Sequence, residues 1–456
     1  MRSHTKDLTK GSPFRLILSF SIPIFFGCLF QQVYSLVDTL IVSRVLGKTA
    51  LAAIGSTFSI SFLICGFVMG MCSGFSIMIA NRFGAKDETG LRKCVANSVW
   101  LGIIFCTVVT AVITFLCHRL LVAMGTPADI IDQAYDYIIV IFAGLPAVYL
   151  YNMTSGIIRA MGDSRTPVIF LLISSVLNIF GDLYFVVVLG TGIAGAAWST
   201  VISQTVSGVL CLLFMRRKLD ILRFRPGEMK PDAHIMGKLC YIGIPMGLQY
   251  SVTAIGSVIM QTSVNALGSE IVAAMTTSSK VCCFFCCPFD ALGTAMATYG
   301  GQNVGAKKIE RLDRGLKASL MIGFIYSVAG LMLLYLFGGD LAALFVSRSE
   351  TELISNAHLC MVGSGLFFAA LTMVDVYRFL IQGMGYSSLA ILSGVFEMVS
   401  RIISAFYLVP VFKIYGVALA SPLAWVFADA FLIPTYHFVK KDLMKKMNIS
   451  EPCSEK

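Results

Sequence analysis

The sequence predicts an all-α polytopic membrane protein, with 12 transmembrane helices in two pseudo-symmetric six-helix lobes around a central cleft. Three observations predict it. The 456 residues are 57% hydrophobic and only 13% charged, whereas a soluble chain carries about 25% charged residues. The apolar residues come in long runs, several exceeding the ~20 residues that cross a bilayer as helix. Short motifs recur in the second half of the chain at a displacement near 222 residues. A soluble protein of this length would fold as two or three domains, each with a charged coat. The charges for such coats are missing, so soluble enzyme, nucleic-acid binder and disordered scaffold are all poor readings.

The apolar runs place spans at 14–43, 50–80, 95–117, 131–158, 167–189 and 193–215. A second set follows at 239–266, 270–300, 316–337, 353–382, 387–411 and 415–439. The first run has basic residues before it, as a secretory signal would, but it is too long and lacks a small-residue cleavage pattern; it reads as an uncleaved first span. The net charge of +10 is a matter of placement. Of 35 Lys and Arg, 27 fall in the termini, the even-numbered connections and the span ends that adjoin them (Arg15, Lys317), five in odd-numbered connections and three deep inside spans. That bias puts both termini in the cytoplasm and makes the basic excess a topology signal, with no nucleic-acid partner implied. Of the 14 cysteines only Cys453 lies clearly outside the spans, which argues against a disulfide framework. Cys282, Cys283, Cys286 and Cys287 have a spacing that could hold a soft metal, yet no His or carboxylate completes the set, and no metal is expected.

Three pairs carry the repeat. Ile22-Pro23 recurs as Ile244-Pro245, Gly84-Ala85-Lys86 as Gly305-Ala306-Lys307, and Met161-Gly162 as Met384-Gly385, at displacements of 222, 221 and 223. Each pair occupies the same place in its six-span half. Six crossings return the chain to its starting side, so the halves are parallel repeats related by an axis along the membrane normal, an arrangement that can rock to open a cleft to alternate sides. The expected organisation is an N-terminal lobe at 1–215, a basic cytoplasmic linker at 216–238, a C-terminal lobe at 239–440 and a cytoplasmic tail at 441–456.

Ionisable groups at membrane depth are costly, which makes them the first functional candidates. In the first half these are Asp38 on helix 1 and Asp182 on helix 5. Asn178 and Asp182 are four apart and share a face. Asp182 lies about 22 Å along a helix entering from the cytoplasm, hence in the outer half, where Asp38, Tyr137 and Thr200 also fall. Neighbouring carboxylates in a low-dielectric site repel, so the pair would take up a proton or be offset by Na⁺. Asn, Thr and Tyr oxygens could complete either arrangement. The structural alternative for Asp38 is an interfacial cap of helix 1. The second half holds Lys280, Asp375, Arg378, Glu397 and Arg401. Glu397 and Arg401 are four apart in the order that favours an intrahelical ion pair, so this candidate second polar site competes with mutual neutralisation. Gln32, Tyr34, Asn152, Ser155, Gln249 and Gln261 are candidate substrate-cleft contacts, set against ordinary interhelical hydrogen bonding. With 22 Met and 33 Phe residues the chain could also line an adaptable apolar cleft. There is no P-loop, HExxH pair or GxSxG elbow, which leaves an ion gradient as the energy source and no catalytic role.

Several of these segments together resemble the multidrug and toxic compound extrusion (MATE) family. They are the helix 1 stretch Gln31-Gln32-Val33-Tyr34-Ser35-Leu36-Val37-Asp38, RFGAKD at 82–87, GQNVGAKK at 301–308, and RAMGDSRTP at 159–167 leading into the Asn178…Asp182 helix. The resemblance covers residues 10–440. It is to the prokaryotic, DNA-damage-inducible-like branch, and it implies a coupling network at Asp38, Tyr137, Asn178, Asp182 and Thr200. A further helix 4 position, Asn in that pattern, is Ser155 here, with Asn152 nearby. The other prokaryotic branch uses a helix 7 Glu; the matching neighbourhood around Thr253 has no acid, while Asp375 corresponds to that branch's helix 10 Asp. The implied function is antiport, exporting cationic or amphiphilic compounds against inward H⁺ or Na⁺ without a cofactor. The implied setting is a prokaryotic cell membrane, with a monomer as the working unit. The rival is a lipid or lipid-linked oligosaccharide flippase of the same broader superfamily, kept open by Lys280, Arg378 and Arg401.

Overall fold

The computed structural model describes residues 5–124 and 126–448; Arg2, Cys453 and Lys456, read above as cytoplasmic, lie outside the described residues. Among these residues there are helices and no strands, as lipid requires of a spanning chain that must satisfy its own backbone. The helices in order are α1 (Pro13–Val45), α2 (Gly47–Gly84), α3 (Glu88–Ala123), α4 (Ile131–Ala143), α5 (Leu145–Ala160), α6 (Arg165–Asp182) and α7 (Gly192–Lys218). After the linker come α8 (Ala233–Asn265), α9 (Ser269–Gly305), α10 (Glu310–Ala342), α11 (Thr351–Leu366), α12 (Phe368–Gly383), α13 (Ser387–Ile403), α14 (Val409–Phe412) and α15 (Ile414–Lys446). Among the described residues ten segments are long and apolar enough to cross a membrane, and two bent pairs, each counted as one span, bring the number to 12. Outward faces carry large apolar side chains, among them Phe115 at 79% exposure, as expected of surfaces solvated by acyl chains.

The two bent pairs are the runs at 131–158 and 353–382, each read from the sequence as one span. α4 and α5 meet at 44°, and α11 and α12 at 51°. The first bend falls at Gly144-Leu145-Pro146, where proline opens the new helix without a donor to the old one. The second follows Gly363-Ser364-Gly365 and contains no proline.

The internal repeat is visible in the backbone. Lys86 and Lys307, closing the two Gly-Ala-Lys motifs, have φ of 57° and 58°. Gly162 and Gly385 have φ of 90° and 92°. α6 runs on into a π-helical segment, Leu183–Val188, and α13 into another, Ser404–Leu408.

The chain divides into two compact units. One comprises the described part of Met1–Asp7 with Phe26–Tyr250; the other comprises Leu8–Phe25 with Ser251 onward. In the first unit α2 packs on α5, and α5 and α6 pack on α7. The first half of α8 joins it through close backbone approach: a Cβ on Gly74 would lie 2.5 Å from the Gly243 Cα. In the second unit α12 packs on α9 and α13 on α15.

Each unit also grips the segment that precedes a first helix. In the second unit Leu8 is buried; its N–H donates to Gln302 Oε1 (2.9 Å), and Arg311 Nη2 donates to the carbonyls of Leu8 (3.3 Å) and Gly11 (3.0 Å). In the first unit Lys6 N–H donates to the Met161 carbonyl (3.1 Å). A Cβ on Gly162 would stand 2.0 Å from the Lys6 carbonyl oxygen, whereas one on Gly385 would meet nothing within 4 Å. Both glycines need positive φ, so alanine strains both by about 1–3 kcal/mol. Gly162→Ala is expected to cost about 1–3 kcal/mol more, from the overlap. Thermal unfolding of the two variants side by side reads the difference.

The linker is held the same way on α3. Arg92 donates through Nε to Glu228 Oε2 (2.7 Å) and through Nη2 to Oε1 (3.0 Å), Trp100 Nε1 donates to the Met229 carbonyl (2.8 Å), and Asp232 N–H donates to Asn97 Oδ1 (2.8 Å). The Arg92 guanidinium, helped by the Arg225 N–H, holds the Glu228 carboxyl below the usual glutamate range. A depressed carboxyl stabilises the docked linker above its unfolded-state value and loses that contribution as the pH falls through the lowered one. Limited proteolysis within 219–232 is therefore expected to accelerate on acidification. In Glu228→Gln it should be faster at neutral pH and lack that acid-dependent rise.

Candidate functional site

A buried polar group of the first unit lies where α6 passes into its π segment. Asp182 is the last α-helical residue there; it is 0% exposed, and Asn178, one turn earlier, is 2% exposed. Their common face turns toward α7. Asn178 Nδ2 donates to Ser199 Oγ (3.1 Å) and Thr200 Oγ1 (3.4 Å), and Ser199 Oγ donates to the Asn178 carbonyl (2.7 Å). Thr200 donates back to Ala196 O (3.2 Å). The hydroxyls are thus committed, and the acceptors are left over.

Asp38 reaches this place from α1. Its carboxyl stands beside that of Asp182. Tyr137 on α4 lies in the field of both carboxyls and of Tyr34, and Tyr34 lies in that of Asp38. Four helices therefore converge with the residues expected from sequence, and Tyr34 and Ser199 join them. The decisive feature is what lacks a partner. Asp38 Oδ1, Asn178 Oδ1 and both Asp182 oxygens are buried with no hydrogen bond made to them, the Ser199 hydroxyl beside Asp182 being given to the Asn178 carbonyl. Four acceptor oxygens with no donor form a polar set that a proton or an oxygen-liganded cation would satisfy.

The remaining first-half candidates are placed otherwise. Asn152 Nδ2 donates to Val148 O (2.8 Å) and Ser155 Oγ to Asn152 O (3.1 Å), both within α5. Gln32 is partly buried on α1, and Gln249 on α8 has polar company. Gln261 donates to Asn265 Oδ1 (2.8 Å) at the exposed end of α8.

The second unit brings Asp375, Arg378, Glu397 and Arg401 together. Arg378 donates from Nη2 to Glu397 Oε1 and from Nε to Ser393 Oγ (2.9 Å). Arg401 approaches Glu397 at 3.8 Å and donates to Ser257 Oγ (3.3 Å). Lys280 does not join them: it is exposed, with its ammonium 5.9 Å from the centroid of the Phe345 ring. Two acids that sequence reasoning passed over take its place. Asp429 on α15 is 4% exposed, with neither oxygen hydrogen-bonded, in the field of Arg378, Asp375 and Glu397. Asp290 on α9 shares the field of Arg378 and Asp375. The signal was present, since each is a lone acid in an apolar run. Four carboxylates thus face two guanidiniums. Among the described residues no group of three His, Cys, Asp or Glu side chains is arranged to hold a metal ion.

Known proteins resemble this chain over most of its length. The MatE family model matches residues 23–184 and 245–407. A probable multidrug resistance protein of Bacillus subtilis, YoeA, is 28% identical over 77% of the chain and 78% of its own length. A second from the same organism, YpnP, is 28% identical over 77% and 79%. An outward-facing multidrug resistance MATE family transporter of the MOP superfamily superposes with a TM-score of 0.89 at 23% identity, covering 98% of this chain and 100% of that one.

Proposed function

Because the chain belongs to the MatE family, we propose that it is a secondary active antiporter exporting cationic or amphiphilic compounds in exchange for inward H⁺ or Na⁺. One observation supports the coupling site above all others: the four donorless oxygens of Asp38, Asn178 and Asp182. Two carboxyls in contact away from water carry unfavourable charge unless a proton or monovalent cation sits with them. Tyr137, Tyr34, Ser199 and Thr200 frame that position. Binding of the ion stabilises the state in which the carboxyls are close; its release lets them separate. If the exported compound favours the separated state, each ligand expels the other by linkage. The ion gradient supplies the energy, and no chemistry on the substrate is involved.

The charge asymmetry of 27 to five orients both termini to the cytoplasm. The acid-rich cluster of the second unit, Asp290, Asp375 and Asp429 around Arg378 and Glu397, offers a second cation-favouring position. The test uses proteoliposomes with proton and sodium gradients imposed separately and a lipophilic cation, ethidium, as cargo. Ethidium movement should follow one of the two gradients and collapse when that gradient is dissipated. Movement indifferent to both would overturn the reading.

A further inference from the structure

We propose that the first unit carries a seat for an anionic phospholipid of the cytoplasmic leaflet, in the groove between the end of α2 and the start of α8. The groove has a volume of about 370 Å³. Its wall is hydrocarbon, from Met78, Tyr241 and Ile242, and its mouth holds the Lys238 ammonium with the His234 imidazole beside it. Gly237 leaves the side open, since a Cβ there would meet nothing within 4 Å. Beyond the groove the exposed face of α8 continues through Tyr241, Ile244 and Leu248, at helical spacing. An acyl chain leaving the groove toward the bilayer centre therefore stays on apolar surface.

The mouth is free to take an anion. Among the described residues neither Lys238 nor His234 has an ion-pair partner. Two acids lie near the mouth and both are engaged: Asp87 by Arg82 (2.8 Å) and the Gly90 N–H (2.8 Å), and Asp232, which caps the start of α8, by the N–H groups of His234 (3.0 Å) and Ile235 (3.3 Å). Lys238 lies five residues into α8, about 7 Å along it, the depth at which a lysine stem can follow hydrocarbon while its ammonium meets headgroups. The second unit supplies a contrast. A groove of about 320 Å³ between α13 and α15, lined by Leu389, Leu392, Phe431, Pro434, Thr435 and Phe438, has similar size and no cation. An apolar groove alone takes any acyl chain; the Lys238 ammonium at the first one selects for a headgroup with net negative charge. The inference goes beyond the antiport reading and takes from it only which side is cytoplasmic.

Native mass spectrometry of the purified protein, supplied with equal phosphatidylglycerol and phosphatidylcholine, tests it. A lysine at a headgroup favours an anionic lipid by about fivefold, so phosphatidylglycerol should be retained about fivefold over phosphatidylcholine. Lys238→Gln should bring the ratio toward one without lowering total lipid. Gly237→Leu, which fills the groove, should lower retention of both. Inorganic phosphate at millimolar concentration should displace neither lipid. A ratio near one in the native protein, an unchanged preference in Lys238→Gln, or unchanged retention in folded Gly237→Leu would overturn the proposal. So would displacement by phosphate, which would assign a free-anion site. If Gly237→Leu fails to fold, the exposed pair His234→Gln with Lys238→Gln carries the test, and a persisting preference overturns it.

Discussion

Asp182→Asn is expected to cut ion-driven export severely while leaving the protein at least as stable as before. The substitution keeps the shape of the side chain and removes the group that binds the ion. In the native site both Asp182 oxygens lack a donor and stand against the Asp38 carboxyl, so nothing in the fold depends on a negative charge there. An amide can donate to Asp38, which converts a repulsive contact into a hydrogen bond. Stability should therefore hold or rise in a thermal-unfolding assay. Transport should fall by the whole coupling free energy, about 5- to 150-fold for the usual 1–3 kcal/mol. Asp38→Asn should behave alike, and the double variant should be no worse than either single, because the two carboxyls act on one ion. Loss of export with loss of folding would mean that the pair is structural. Normal export by well-folded Asp182→Asn would remove the site from the mechanism.

How far these features could be read from the sequence depended on the kind of signal. The spans were legible because lipid forces long apolar runs, and the repeat because Gly-Ala-Lys and Met-Gly mark backbone positions with positive φ, a conformation few residues adopt. Asn178 and Asp182 were legible as a helical pair of polar groups in an apolar run. Their meeting with Asp38 is tertiary, between residues far apart in the chain, and no local pattern records it. Ser199 was illegible because serine is ordinary in membrane helices; only its hydrogen bonds with Asn178 single it out. In the second half Lys280 fitted the pattern of a buried charge yet snorkels to Phe345, since a long stem lets a lysine leave the helix face on which it starts. Asp429 and Asp290 lack such reach and stay where the helix puts them. The bend at Gly144 had a proline to announce it, and the bend before Phe368 had only two glycines and a serine.

The second large effect is expected at Arg378. This guanidinium is buried and donates to Glu397 and Ser393, and it lies in the field of Asp290, Asp375 and Asp429. Replacing it with methionine keeps the bulk and strands those acids with Arg401 alone, which sits 3.8 Å from Glu397 and is partly committed to Ser257. Removing one partner of a buried ion pair costs about 3–5 kcal/mol, mostly from the charge left behind. Arg378→Met should therefore unfold at a markedly lower temperature or express poorly. The cause can be separated from lost packing by removing the orphaned charge as well. Arg378→Met with Glu397→Gln should recover most of the loss, since a neutral pair of similar volume is tolerated where a lone charge is not. Asp429→Asn alone should be neutral or stabilising, because its oxygens have no donor to lose. A mild effect of Arg378→Met, with no recovery in the double variant, would show that water reaches the cluster and that its charges are solvated individually. Severe loss with recovery would show a dry network in which Arg378 offsets acids that the fold brings together, and in which any added cation competes for the same carboxylates.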